Sequence, residues 1–193
     1  MTLTTAKRFT ITEYHRLAEL DFFTEDDRVE LIKGEIIKMA AKGRPHSVCN
    51  TRLYKELFKL LDEKATIRGQ EPIVINNNSE PEPDLVIVKN RPDDYFVNHP
   101  TPSDIFLVIE VADSFLKYDQ EVKLPLYAEA GISDYWIFNL IVYHLECYSE
   151  PYQDIQGTFG YRHKSIILPN ESVKLPSFPE LILDLTKVFP GKN

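Results

Sequence analysis

Two stretches of this 193-residue chain are apolar with almost no alternation: DLVIV, residues 84–88, and IFLVIEVAD, residues 105–113. A strand with one wet face alternates polar and apolar side chains, whereas a strand covered on both faces reads as a continuous apolar run. The chain therefore needs a sheet with other elements packed against both sides. The expectation is an α/β fold built on a central mixed sheet flanked by helices.

Each run carries one carboxylate. Asp84 opens the first and Glu110 interrupts the second. A buried acid needs a cation, a proton or strong hydrogen-bond donors. Two acids at the same end of neighbouring strands would repel each other unless a divalent ion lay between them. Oxygen donors of this kind suit Mg²⁺ or Mn²⁺, and the chemistry served is phosphoryl transfer or hydrolysis. Spacing alone also allows a turn acid plus a structural salt bridge. Upstream, SEPEPD places Glu80, Glu82 and Asp84 at alternate positions, which share one face if the backbone is extended.

The rest of the chain supplies the flanking layers. FTITEYHRLAEL predicts a short helix with a capping box starting at Thr12, and RVELIKGEIIKMA a hairpin turning at Lys33-Gly34. Gly43-Arg44-Pro45 opens a helix whose Leu53, Leu57, Leu60 and Leu61 share one face. ATIRGQEPIVI reads as a strand ending at Asn76-Asn77-Asn78. A helix is expected from Asp119 to Ala130, capped by Gly131, with Pro125 bending it or marking its first turns. DYWIFNL and VYHLECYS form a strand pair, with SIILP and SFPELILDLTKVF closing the chain. No repeat or linker divides the chain, so one domain over residues 1–193 is expected.

The formal charge of −8 is unhelpful for a dedicated nucleic-acid binder. It is uneven, however: between Lys33 and Gln70 nine Lys or Arg stand against four Asp or Glu. That basic segment is either a route to phosphates or the solvated face of a helix. The N-terminus lacks the apolar core of a signal peptide, and no run approaches the roughly 20 residues of a membrane span. Cys49 and Cys147 have no metal-type spacing and read as packing residues. The expectation is a cytoplasmic protein with no membrane contact.

The segments VELIKGEII, GRPHS, SEPEPDLVIV, LVIEVADS and KLPLYAEAGISDYWI together resemble the Uma-two family of restriction-type endonucleases, abundant in cyanobacteria, within the PD-(D/E)XK nuclease superfamily. The similarity runs from TITEYHRL to LILDLTKVF. It implies a restriction-endonuclease-like core, with an additional N-terminal helix and hairpin, that hydrolyses DNA phosphodiester bonds with Mg²⁺ or Mn²⁺. Pro83-Asp84 resembles the superfamily's PD, with Asp84 as a metal ligand, and Glu110 resembles the second acid. The lysine usually found two residues later is replaced by Ala112, so the resemblance points to Lys123 on the next helix, with Lys117 the weaker substitute. Glu30 resembles an additional acid of the site. His46 would contact a phosphate or cap its helix, and Gln70, on a strand, would face the site as a substrate-binding residue. Cutting both strands of a duplex suits a homodimer. Two further readings remain open: a catalytically degenerate binding or regulatory module, and a hydrolase of a small phosphorylated substrate. The nuclease needs Lys123 beside both carboxylates; the module expects the basic segment to lie away from them; the small-substrate enzyme expects a closed pocket.

Overall fold

In the computed structural model, residues 6–24, 26–39 and 41–191 are described. A six-stranded sheet runs in the order β3-β4-β5-β6-β7-β8. Its strands are β3 (Thr66–Arg68), β4 (Leu85–Val88), β5 (Ile105–Ala112), β6 (Asp134–Asn139), β7 (His144–Gln153) and β8 (Phe159–Ile167). Only β5 and β6 pair in parallel. The parallel pair is joined by a helical crossover, as parallel strands require. The sheet is therefore mixed, and its interior strands β4 and β5 are the two continuous apolar runs.

Both faces are covered. Against one lies α2 (Arg44–Leu61), whose Cys49, Leu53, Leu57 and Leu61 pack on Leu85, Ile87, Leu107 and Ile109. The hairpin of β9 (Ser172–Leu175) and β10 (Phe178–Asp184) adds Leu175 and Leu183 to that layer. On the other face Val86, Val108, Ala112 and Ile137 meet Tyr127 and Tyr135. Strand alternation thus sends odd residues of β4, and of β5 from Leu107 onward, one way and even residues the other, with the parity switched at Ile105 and Phe106 by a bulge. Asp84 and Glu110 are both even.

The N-terminal additions are α1 (Ile11–Glu19) and the hairpin of β1 (Val29–Ile32) and β2 (Glu35–Lys38). Lys33 and Gly34 both take positive φ at its turn, 48° and 77°, the geometry a two-residue hairpin loop demands. The hairpin docks through Glu80 N–H to the Leu31 carbonyl, 2.7 Å. The helix cap differs from expectation: Thr10 caps α1 and Glu13 completes the box, so the helix begins before Thr12.

Two other boundaries move, and one shared face is lost. β3 stops at Arg68 because Gln70 turns into a left-handed conformation; beyond it Ile73 and Ile75 donate to Pro81 and Ser79 without forming a strand. The crossover helix starts earlier than Asp119: α3 (Leu116–Tyr118) runs into a π turn (Asp119–Lys123) and then α4 (Leu124–Glu129). Glu80, Glu82 and Asp84 do not share a face. Pro81 and Pro83 keep residues 81–83 out of the strand, so Glu80 turns toward His15, at 2.8 Å, while Glu82 and Asp84 line a cleft.

Candidate active site

A cleft of about 190 Å³ opens at the end of the sheet where β4 begins and β5 finishes. Because β4 and β5 are antiparallel, with Leu85 opposite Ile109, the start of one and the end of the other coincide. That register places Asp84 beside Glu110, and the Asp84 N–H donates to Glu110 Oε2 at 3.2 Å. Both side chains are almost fully buried, as are Glu30, Asp119, His46 and Lys123 around them.

Lys123 is the centre of the acidic group. Its Nζ lies 2.9 Å from Glu110 Oε1 and 3.4 Å from Glu30 Oε2. Tyr127 donates to Glu110 Oε1 at 3.1 Å and Tyr118 to Glu30 Oε1 at 3.1 Å. Lys123 closes the π turn, four residues after Asp119 and four before Tyr127, a spacing that keeps all three on the face turned to the cleft and to Glu110. Pro125 has no N–H and its ring would crowd the carbonyl four residues back, so the turn before it widens. The lysine missing after Glu110 is thus supplied from the crossover helix, while Ala112 stays small and buried in the cleft wall.

Asp84 is held by three donors. His46 Nε2 and the Val111 N–H each approach Oδ2 at 2.9 Å, and Lys42 Nζ approaches Oδ1 at 2.9 Å. Burial alone would raise its pKa, but the bond and charge of His46 and of Lys42 outweigh it, and the carboxyl is held well below the usual range. His46 therefore sits on the metal-ligand candidate itself, within the first turn of α2, rather than merely capping the helix. Gly43 precedes that turn at close range to β5: its N–H donates to Asp113 Oδ2 at 3.2 Å, and a Cβ there would collide with the same oxygen.

Glu110 behaves oppositely. Burial pushes its pKa up to about 8 despite Lys123, with Asp119 and Asp84 adding repulsion. Asp119, expected only as the start of a helix, is a buried carboxylate on the cleft wall that makes no side-chain hydrogen bond among the described residues. Burial raises it to about 7, Lys123 opposes, and Asp84 and Glu30 add to the rise. Lys123 is held well above its ordinary value: burial opposes the charge, and Glu110 and Glu30 overcome it. It is a fixed cation, not a base.

Asp84, Glu110, Lys123, Glu30 and His46 are therefore brought together. Gln70 is not. It follows β3 at a φ of 56°, its side chain is exposed, and it lines a separate cleft with Asn50, Tyr54 and Glu71. Lys117 is exposed and off the site. Lys42 and Asp119 were not singled out from the sequence. Lys42 lay in the basic segment and Asp119 in the crossover helix, but neither has a neighbouring pattern that marks it.

Among the described residues no three of His, Cys, Asp and Glu gather closely enough to form a metal cage. The donor set nonetheless fits a hard divalent cation. Four buried carboxylates face the two ammonium groups of Lys42 and Lys123, which leaves two negative charges uncompensated when all are ionised. Asp84 and Glu110 would hold the ion, with water and substrate oxygens completing its shell, as Mg²⁺ commonly keeps them.

None of the curated proteins matches the chain significantly. Among solved structures, a "putative nuclease belonging to DUF820" from Anabaena variabilis superposes with a TM-score of 0.72 at 15% identity, covering 94% of this chain and 97% of that one. At that identity the likeness establishes the fold. The model of the Uma2 family, described as "Putative restriction endonuclease", matches residues 11–186. Since that match begins with the first residue of α1 and takes in every residue of the cleft, the chain belongs to the Uma2 family.

Proposed function

We propose that this cleft hydrolyses DNA phosphodiester bonds with a divalent metal, Mg²⁺ or Mn²⁺. The observation that carries the reading is Lys123 Nζ at 2.9 Å from Glu110, although the chain lacks a lysine at position 112; Lys123 touches Glu110 and Glu30, while Asp84 meets Glu110 through its own N–H. Asp84 and Glu110 would hold the metal, which would supply an activated water and offset charge on the phosphate. The chain's own residues do the rest. Lys123, permanently charged, faces negative charge developing on the phosphate oxygens. Glu30 and Tyr118 fix its position, and Tyr127 fixes Glu110. The basic segment contributes Lys42 and His46 to the acids themselves, contrary to what a separate binding patch requires. In this reading a single backbone phosphate enters the cleft while the duplex lies across its mouth. Two copies about a twofold axis would offer one such cleft to each strand.

The test is cleavage of supercoiled plasmid with Mn²⁺ or Mg²⁺ by the wild type, Asp84→Asn and Glu110→Gln. The wild type is expected to nick or linearise the DNA, and each variant to lose about 10²–10³-fold. Cleavage that survives both substitutions, or a wild type inert with every metal and DNA form, would sink the reading. Sedimentation of the protein with duplex separates a dimer that cuts both strands from a monomer that nicks.

A further inference from the structure

Asp84 is the carboxylate on which metal binding turns, and one of its oxygens already has a cation. Its three partners differ in kind. The Val111 N–H is fixed in β5, and His46 is buried in the first turn of α2. Lys42 lies on the connection between β2 and α2, and its side chain retains 18% exposure against 6% for His46. Lys123 is committed to two carboxylates, whereas among the described residues the side chain of Lys42 donates to Asp84 Oδ1 alone. A strongly hydrated ammonium on a four-carbon stem is the one partner able to leave without unfolding an element.

We propose that Lys42 is a built-in counter-cation, occupying Asp84 Oδ1 until a divalent metal displaces it, so that this lysine sets the metal affinity of the site. The inference rests on reading Asp84 as a metal ligand. Asp84 and Lys42 both line the cleft, so removal of the ammonium frees Asp84 Oδ1 for a metal. The released ammonium stays at the cleft, where an anionic phosphate offers a new partner. A phosphate that draws Lys42 away favours metal binding, and by reciprocity the metal favours the phosphate. Metal and substrate then enter the site together, and the metal-free protein keeps its acids compensated.

Calorimetric titration of the full chain with Mn²⁺, without DNA, tests this on the wild type, Lys42→Gln, Lys42→Arg and Asp84→Asn. Lys42→Gln is expected to bind Mn²⁺ about tenfold more tightly than the wild type, Lys42→Arg about as weakly as the wild type, and Asp84→Asn not at all. If the wild type binds and Asp84→Asn does not, while Lys42→Gln is no tighter, displacement is wrong and the metal reading stands. If none of the four binds, the metal reading fails and takes this proposal with it. Thermal melts give a second readout: Mn²⁺ should raise the Tm of Lys42→Gln more than that of the wild type, and an equal rise overturns the idea. Should Lys42→Gln be unfolded without metal, recovery of its fold on adding Mn²⁺ supports the proposal and failure to recover refutes it.

Discussion

Lys123 is the counter-charge of both Glu110 and Glu30. Breaking a buried pair costs more than the pair contributes, because the partner is left charged and dry. Lys123→Met should therefore lower stability by about 3–5 kcal/mol in urea unfolding. A loss below ~1 kcal/mol would mean the carboxylates find protons instead. Protons are indeed their alternative partner. Glu110 and Asp119 have folded-state pKa values raised to about 8 and about 7. Between the ordinary carboxylate range and those values the folded chain holds protons that the unfolded chain has lost. Metal-free stability should thus fall as pH rises from about 4 toward 8. Asp84 is held low, so its contribution is present above about 4 and lost as pH falls further. Asp119→Asn, which sacrifices no hydrogen bond, should raise metal-free stability at pH 8 by ~1–3 kcal/mol and change little at pH 5. A wild-type melting temperature that is flat from pH 5 to 8 would contradict the assignment.

The π turn sets the angle at which the crossover helix meets the cleft. One extra residue in a helix rotates the turns before it by about 100° relative to the turns after it. Asp119, Lys123 and Tyr127 recur every four residues and so share a face, and the π turn adjusts how Asp119 and Lys123 sit relative to Tyr127 on Glu110. Pro125→Ala restores the missing N–H and admits a regular α-helix. Activity should then drop at least about tenfold with the circular dichroism spectrum unchanged. Unchanged activity would show that the ion pairs, not the proline, hold the turn. The helix on the other face is simpler. Leu57 of α2 is fully buried against the sheet, and Leu57→Ala should cost about 2–5 kcal/mol in the same urea assay. That loss should not alter metal affinity, because Leu57 lies in the core beneath α2 and not on the cleft.

At the scale of the whole molecule, a chain of −8 must approach a polyanion through a small basic area. Lys38 and Lys42 line the cleft, and Arg44 opens α2. Three phosphate contacts correspond to a log–log salt dependence of duplex binding with a slope of about −3. A slope near −8 would require a second basic surface elsewhere. The outer strand β8 carries Arg162, His163 and Lys164 along its exposed edge, charges that discourage pairing with another sheet. No helix among the described residues is long and apolar enough to cross a membrane.

The layered α/β architecture was legible in the sequence, because burial on both faces leaves a strand no room for alternation, and DLVIV and IFLVIEVA show that directly. Asp84 and Glu110 were legible for the same reason: a carboxylate inside such a run is costly unless it has a purpose. Their adjacency was not. It comes from the antiparallel register that sets Leu85 opposite Ile109, a pairing between residues 24 positions apart. Gln70 was misplaced because a left-handed turn ends β3, and only docking of the chain beyond Pro72 decides where its side chain goes. Lys42 and Asp119 carried no local mark at all. One is an ordinary lysine in a basic stretch and the other an ordinary helix acid. Their chemistry exists only because β2, α2 and the crossover helix converge on one cleft, where low dielectric turns common surface charges into partners of Asp84 and Glu110.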